Sequence, residues 1–394
     1  MRVSNPKMIG DHNKLEIMEL IKKSPISRAE IAKILKISKP AVTKNVNVLI
    51  NIGLIKEGKT DDSLMGRKAL LLEYIFTFAY VLGINIGSKN LQVTLADLGG
   101  NIIEMEVSKI KNRENPEDVY NQIIDSIKNI LNKKNLKHQD IIFVGISSPG
   151  IRNAKTGGYE FNPFIKYWDK LDLVKLLKND LNLDCVVFND VDMSMMGERL
   201  KGTGINYNNI AYLKLWDGFA ARLLINGQIY SGINNAAGEI GFMMLGENYI
   251  KDKSDETGYL EKLISNEGVS NLYKELSLLS GVDFAGYKEL TIKSIVKLAN
   301  KKDLIAIKVL DKLTKYLAMV IINIVAVVNP EIVILGGDLT NVNDTFMDNM
   351  HKILNNNFPY KTNVVRGSLG ENSEIVGCIS VALKEANGKL RLLW

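Results

Sequence analysis

Residues 26–52, ISRAEIAKILKISKPAVTKNVNVLINI, constrain the fold of this chain more than any other stretch, because they read as a helix-turn-helix. Ile31, Ile34 and Leu35 give a first helix its inner face, Ile37 falls in the turn, and Val42, Val46 and Leu49 recur at helical spacing in a second. Ser38 is placed as N-cap of that second helix, and Pro40 lies in its first turn, where a missing N–H costs nothing. The outward positions are then Lys39, Ala41, Thr43, Lys44, Asn45 and Asn47, short polar or cationic groups suited to phosphates and base edges. With Ser38, Pro40 and the start of the first helix, Ser27 and Arg28, they are the candidate DNA contacts. Pattern alone also fits a three-helix knob with a solvated basic face.

Charge separates the two readings. Of 50 Lys+Arg and 44 Asp+Glu, 14 basic and 8 acidic residues fall within 1–73, leaving 36 of each beyond, so the excess of +6 sits in the first 73 residues. A cationic module on a neutral body is the footprint of a duplex-binding domain, since neutralising phosphates releases counterions. A membrane surface is disfavoured, because no amphipathic segment with an aromatic face accompanies the charge.

The module continues on both sides. Residues 11–23 carry Leu15, Ile17, Met18 and Ile21 as a packing helix. Gly53 suits a helix C-cap. LIKEG (54–58) and ALLLEY (69–74) then read as the strands of a wing, with Gly66, Arg67 and Lys68 at its tip. Arg67 can enter a narrow, electronegative minor groove there; the other reading is a solvated hairpin tip.

At 394 residues the chain predicts two or three domains. A hydrophobic fraction of 46% implies a packed soluble protein. No apolar run reaches ~18 residues, so no membrane span is expected. MRVSNPKMIGDHN lacks a signal-peptide core, which makes the cytoplasm the expected compartment. Cys185 and Cys378 are too few for a thiolate cluster or disulfide framework, and both are expected to be buried.

From about residue 78 the pattern becomes three short strands in a meander, a helix at about 116–133, the strand IIFVGIS, a helix at 169–179 and the strand CVVFND. A second round opens at IAYLKLWD and closes through a long helix, 304–328, and the strand IVILGGD. Two such halves make a duplicated α/β body with a ligand cleft between them.

These residues resemble a known family. SPISRAEIAKILKISKPAVTKNVNVLINIGLIKEG, the GRK of the wing, ISSPG, FND, NGQIYSGINNAAGEIG with a following ExxxS, and NPEIVILGGDL are similar, in order, to the ROK family of sugar-responsive repressors and sugar kinases. The resemblance implies an α/β chain with an N-terminal winged helix-turn-helix (1–74) and a two-lobed actin-like ATPase-fold sugar domain (75–394). The lobes would span about 75–195, rejoined by a C-terminal helix, and about 205–375. Homodimers or homotetramers are implied.

The family holds both enzymes and regulators, so the phosphate loops decide. Kinases of this fold open with an Asp-x-Gly loop whose carboxylate organises Mg²⁺; here Asn85-Ile86-Gly87-Ser88-Lys89 offers an amide, which lacks that charge. The second, glycine-rich loop is replaced by Trp216-Asp217-Gly218-Phe219-Ala220-Ala221-Arg222, where bulky groups fill positions at which backbone must touch phosphate. No catalysis and no cofactor are expected.

The sugar side is better kept. Asn189-Asp190 stands where the family's catalytic Asp meets a sugar hydroxyl. Glu239 and Glu261 match two glutamates that grip ring hydroxyls, Asn162 a further ligand, and Ser148 a wall beside them. Converging carboxylates and amides suit a neutral polyol, each buried hydroxyl of which needs a partner. The alternative is that Asp190 and Glu239 are caps or ion-pair members on an inherited scaffold. The family's zinc site is lost: Phe242 replaces its His, and the cysteine positions fall near Asp252, Ser254 and Tyr259. Phe242 instead presents a ring that can stack on a pyranose or shrink the pocket.

The resulting expectation is a sugar-responsive repressor of carbohydrate-utilisation genes, binding double-stranded operator DNA. Its sugar effector is xylose first, with glucose and N-acetylglucosamine open. A ligand-blind regulator governed by a protein partner and an ATP-dependent sugar kinase are the alternatives.

Overall fold

A computed structural model of the chain describes residues 6–61, 69–152, 159–162, 164–216, 218–247, 250, 258–282 and 290–393. The N-terminal unit comprises α1 (Pro6–Lys23), β1 (Ile26–Ser27), α2 (Arg28–Leu35), α3 (Lys39–Ile52), β2 (Ile55–Asp61) and β3 (Ala69–Tyr74). Local chemistry sets its boundaries. Ser27 and Glu30 form a capping box that starts α2, and Lys36 in the left-handed region stops it. Ser38 Oγ accepts from Ala41 N to open α3, and Gly53 (φ 91°) ends it. The three strands pair in the order β1-β3-β2, all antiparallel. The wing tip, and with it Arg67, lies outside the described residues.

Two five-stranded sheets follow with the same plan. The first holds β4 (Tyr80–Ile86), β5 (Asn90–Asp97), β6 (Ile102–Lys109), β7 (Ile141–Ser147) and β10 (Cys185–Phe188), in the order β10-β7-β4-β5-β6. The second holds β11 (Ile210–Leu215), β12 (Phe219–Ile225), β13 (Gln228–Tyr230), β14 (Ile332–Gly337) and β15 (Val364–Arg366), in the order β13-β12-β11-β14-β15. Each is an antiparallel meander extended by two parallel strands, so the lobes repeat one topology. The ribbon β8 (Ile151–Arg152) and β9 (Tyr159–Phe161) projects after β7.

Helices α4 (Pro116–Lys134) and α5 (Leu173–Leu181) cover the first sheet. Helices α7 (Tyr259–Ile264), α8 (Asn266–Leu279), α9 (Ile292–Asn300), α10 (Leu304–Val328) and α11 (Asp344–Asn357) build on the second. Expected at 304–328, α10 has those bounds. The helix expected at 169–179 is a 3-10 turn, Trp168–Lys170, and then α5. Cys378 is buried, whereas Cys185 is only partly so. Among the described residues no helix is long and apolar enough to cross a membrane.

Between the sheets lie α6 (Asp190–Lys201) and α12 (Ser373–Leu390). Val191 and Met195 of α6 share a cluster with Ile210, Tyr212 and Ile334 of the second sheet. Ile375, Cys378 and Ile379 of α12 pack with Val81 of the first. The two helices touch backbone to backbone: a Cβ on Gly377 would stand 1.9 Å from Met193 O, and one on Gly197 2.0 Å from Ser373 O. Only glycine fits such a crossing.

Candidate effector cleft and DNA-binding face

On α3, Ser38, Lys39, Pro40, Thr43, Lys44 and Asn47 are exposed and Ala41 is half-buried. Asn45 departs from the expected outward face. It is buried, and its Nδ2 donates to Ala41 O (2.9 Å) within its own helix, so it is a core polar group satisfied locally. Ile34, expected inward, is 53% exposed, and Ile31 alone supplies the buried apolar position of α2. Ser27 is buried as a cap, its hydroxyl bonded to Glu30. Arg28 reaches Glu57 of β2 at 2.7 Å, tying α2 to the wing.

In the cleft, Asn189 and Asp190 sit where β10 gives way to α6. Asn189 is the N-cap, accepting from Val191 N and donating to Gly150 O (2.8 Å), so both ends of its amide are engaged. Asn162 is spent likewise. Its Oδ1 accepts from Phe164 N and Ile165 N, and its Nδ2 donates to Pro149 O and, at 3.4 Å, to the buried Ser148 Oγ. These three residues shape the wall and leave little capacity for a ligand.

Asp190 is the head of a network absent from the sequence expectation. Lys214, from β11, places its Nζ 2.8 Å from Asp190 Oδ2 and 3.2 Å from Glu374 Oε2 in the first turn of α12. Ser147 Oγ, at the end of β7, donates to the other oxygen of Glu374. Burial works against the Lys214 ammonium, but Asp190 and then Glu374 outweigh it and hold its pKa above the ordinary lysine value. A lone cation within the otherwise buried strand IAYLKL was the available signal.

A second buried cation stands where the phosphate loop was expected to be blocked. Arg222 of β12 bonds Asp192 (2.6 Å) and Ala237 O (2.7 Å) and lies 3.9 Å from Glu239. Burial pushes the Glu239 carboxyl above the ordinary glutamate value; Arg222 opposes this, while Asp190 and Asp192 add to it. Glu261, on α7, lies over two glycines: Cβ atoms on Gly218 and Gly241 would stand 3.3 and 2.8 Å from its carboxylate oxygens. Its pKa is also raised by burial, against a backbone N–H from Phe219. Ser265, the last residue of ExxxS, caps α8.

Trp216 is part-exposed and its carbonyl accepts from Asn266, while Phe219 is in the second-lobe core. Asn85, next to last in β4, pairs with Ser147, its Oδ1 buried with no hydrogen-bond partner among the described residues. Phe242, on the 3-10 turn Ile240–Phe242 after Glu239, is 49% exposed. Asp217, Asp252 and Ser254 lie outside the described residues. Among the described residues no group of three or more His, Cys, Asp or Glu could hold a metal ion.

A winged helix-turn-helix carrying a duplicated ATPase-fold body with a carboxylate-lined cleft defines a two-part class, a reader joined to a sugar-kinase-like scaffold. The ROK family model matches residues 81–385 and a winged helix-turn-helix DNA-binding model residues 11–56, so this chain belongs to the ROK family. It is 26% identical over 377 residues to the xylose repressor of Bacillus spizizenii, covering 95% of each chain. It is 24% identical to the DNA-binding transcriptional dual regulator NagC of Escherichia coli, covering 99% of this chain and 97% of that one. The crystal structure of a ROK family transcriptional regulator, a homologue of the E. coli MLC protein, superposes with a TM-score of 0.79 at 20% identity, covering 98% of this chain and 99% of that one.

Proposed function

We propose that this chain is a sugar-responsive repressor that binds operator DNA through α3 and the wing and senses a monosaccharide between its lobes. The observation that carries this reading is the coexistence, on one chain, of an exposed cationic α3 face with Asp190, Glu239 and Glu261 around a cleft whose nucleotide side holds Trp216 and Arg222. Lys39, Thr43, Lys44 and Asn47 contact phosphates and base edges, and Arg67 serves the minor groove. Asp190, Glu239 and Glu261 accept hydrogen bonds from ring hydroxyls, and Phe242 offers a stacking face. Two copies, as a homodimer or a pair of dimers, place two reader modules on a near-palindromic site. Sugar favours the form with lower DNA affinity.

Xylose is the first candidate, in keeping with the relative named above, and N-acetylglucosamine and glucose are the next. No phosphoryl transfer is part of this function: Asn85 in place of a carboxylate and Arg222 in place of glycine leave no seat for a metal-bound triphosphate. Mobility shifts on upstream DNA against a panel of these sugars test the coupling, and no response to any sugar overturns the effector role. Release of ADP with any hexose acceptor in a coupled assay overturns the non-enzymatic reading. The engaged amides of Asn162 and Asn189 favour one other reading, a ligand-blind regulator governed by a protein partner. Tight operator binding with no calorimetric sugar binding would select it.

A further inference from the structure

The polar network of the cleft joins four parts of the molecule that are far apart along the chain or on different elements. Lys214 belongs to the second sheet, Asp190 opens α6, Glu374 opens α12 and Ser147 ends a strand of the first sheet. The side chains of Lys214 and Glu374 are 10% and 13% exposed and that of Asp190 is 24% exposed, so the attraction is little screened. Tyr212, two residues before Lys214 on the same strand, shares a buried cluster with Val191 and Met195 of α6. The same strand face therefore grips the first turns of both helices.

The far end of α12 lies in the DNA-binding unit. Leu390 is fully buried in the cluster formed by Ile17, Met18, Val46, Leu49 and Leu72. Lys22 of α1 donates to Asn387 at 3.3 Å and lies over the Tyr74 ring. An 18-residue helix is about 27 Å long, so one rigid element touches both the cleft ions and the reader core.

We propose that Lys214 is a positioning residue whose paired bonds to Asp190 and Glu374 latch the two lobes in the DNA-competent arrangement, and that a ligand hydroxyl taking up Asp190 releases the latch to α12. This rests on the effector reading above and names its regulation. A hydroxyl donating to Asp190 competes with the ammonium for the same oxygens. Lys214 then holds Glu374 alone, and the first turn of α6, which crosses α12 at Gly197 and Gly377, is freed relative to β11. Sugar and operator thus draw on one equilibrium, so weakening the latch must help one ligand as it hurts the other.

Glu374→Gln tests this in the full-length protein, because it keeps the side-chain volume, the Asp190–Lys214 pair and a partner for Ser147. Operator affinity, measured by fluorescence anisotropy without sugar, is expected to fall at least tenfold. The xylose concentration that releases DNA is expected to fall severalfold, a shift that mere loss of folded protein would not produce. Lys214→Met should act in the same direction on both readouts. Hydrogen exchange is expected to rise together in the first turns of α12 and in α1 in both variants. Wild-type operator affinity and wild-type exchange in a folded Glu374→Gln protein would overturn the latch. So would an operator loss accompanied by an equal loss of sugar affinity. If wild-type protein answers to no sugar, the effector reading fails, while operator affinity and exchange without sugar still decide for or against the latch.

Discussion

The DNA-facing surface and the cleft are both rich in polar side chains, and they hold them in opposite ways. On α3, Lys39 and Lys44 are exposed and, among the described residues, have no acidic partner. In the cleft, Lys214 and Arg222 are buried and each is bonded to carboxylates. The difference follows from their targets. A phosphate backbone rewards cations that stay hydrated until they displace counterions. A neutral polyol offers no charge, so ionic groups beside it must be neutralised by one another, at a desolvation cost that only close geometry offsets.

This contrast can be broken most directly inside the cleft. Asp190→Ala leaves Lys214 with one carboxylate, and the folded protein is expected to lose about 3 kcal/mol, read by urea unfolding. A loss below about 1 kcal/mol would mean that the pair is solvated like a surface bridge. Next in size, the double variant Lys39→Ala/Lys44→Ala should bind operator about 30-fold more weakly at ~0.15 M salt and flatten the log–log salt dependence by about 2. Its melting temperature should stay put, since neither lysine has a side-chain partner among the described residues; anisotropy across a salt series and a thermal melt check both parts.

Asn45 sharpens the comparison, because it is a recognition-helix residue with cleft-like behaviour. Asn45→Ala should change operator affinity less than threefold. The lost Ala41 bond and the better helix propensity of alanine should keep stability within about 1 kcal/mol of the parent. A specific loss of DNA affinity would show that the side chain turns outward on the duplex. The smallest effect is expected at Glu239, whose folded pKa exceeds its unfolded one because of burial. Such a group disfavours the folded state at neutral pH, and the penalty fades as pH falls into the ordinary glutamate range. Glu239→Gln should therefore raise the melting temperature by about 1 °C at pH 7.5, a small figure because the side chain is more than a third exposed, with no gain at pH 4.

What the sequence made legible was what local chemistry controls. Ser38, Pro40 and Gly53 bracket α3, and the unbroken apolar period of 304–328 marks α10, because caps and periodicity act over a few residues. The glutamates of the cleft were legible through motif resemblance. Illegible were the contacts made across long separations. Glu374 meets Ser147 and Lys214 from 227 and 160 positions away, and no periodicity records that. Helix α6 was missed because DVDMSMMGERLK mixes acids, methionines and a glycine among its buried positions, with no clean apolar stripe. Asn45 was misplaced because an amide that folds back on its own helix is indistinguishable, in a string of letters, from one that points at a base.

The glycine crossing of α12 over α6 bears on how far a disturbance travels. With no side chain between the two backbones at Gly377 and Gly197, the helices meet at a fulcrum. Glu374 lies three residues to one side of it and Asn387 ten to the other, arms of about 4.5 and 15 Å. Tilting about that point multiplies a displacement at Glu374 roughly threefold by the time it reaches α1. A lever of this proportion lets a shift smaller than a bond length in the cleft be felt in the helix-turn-helix unit.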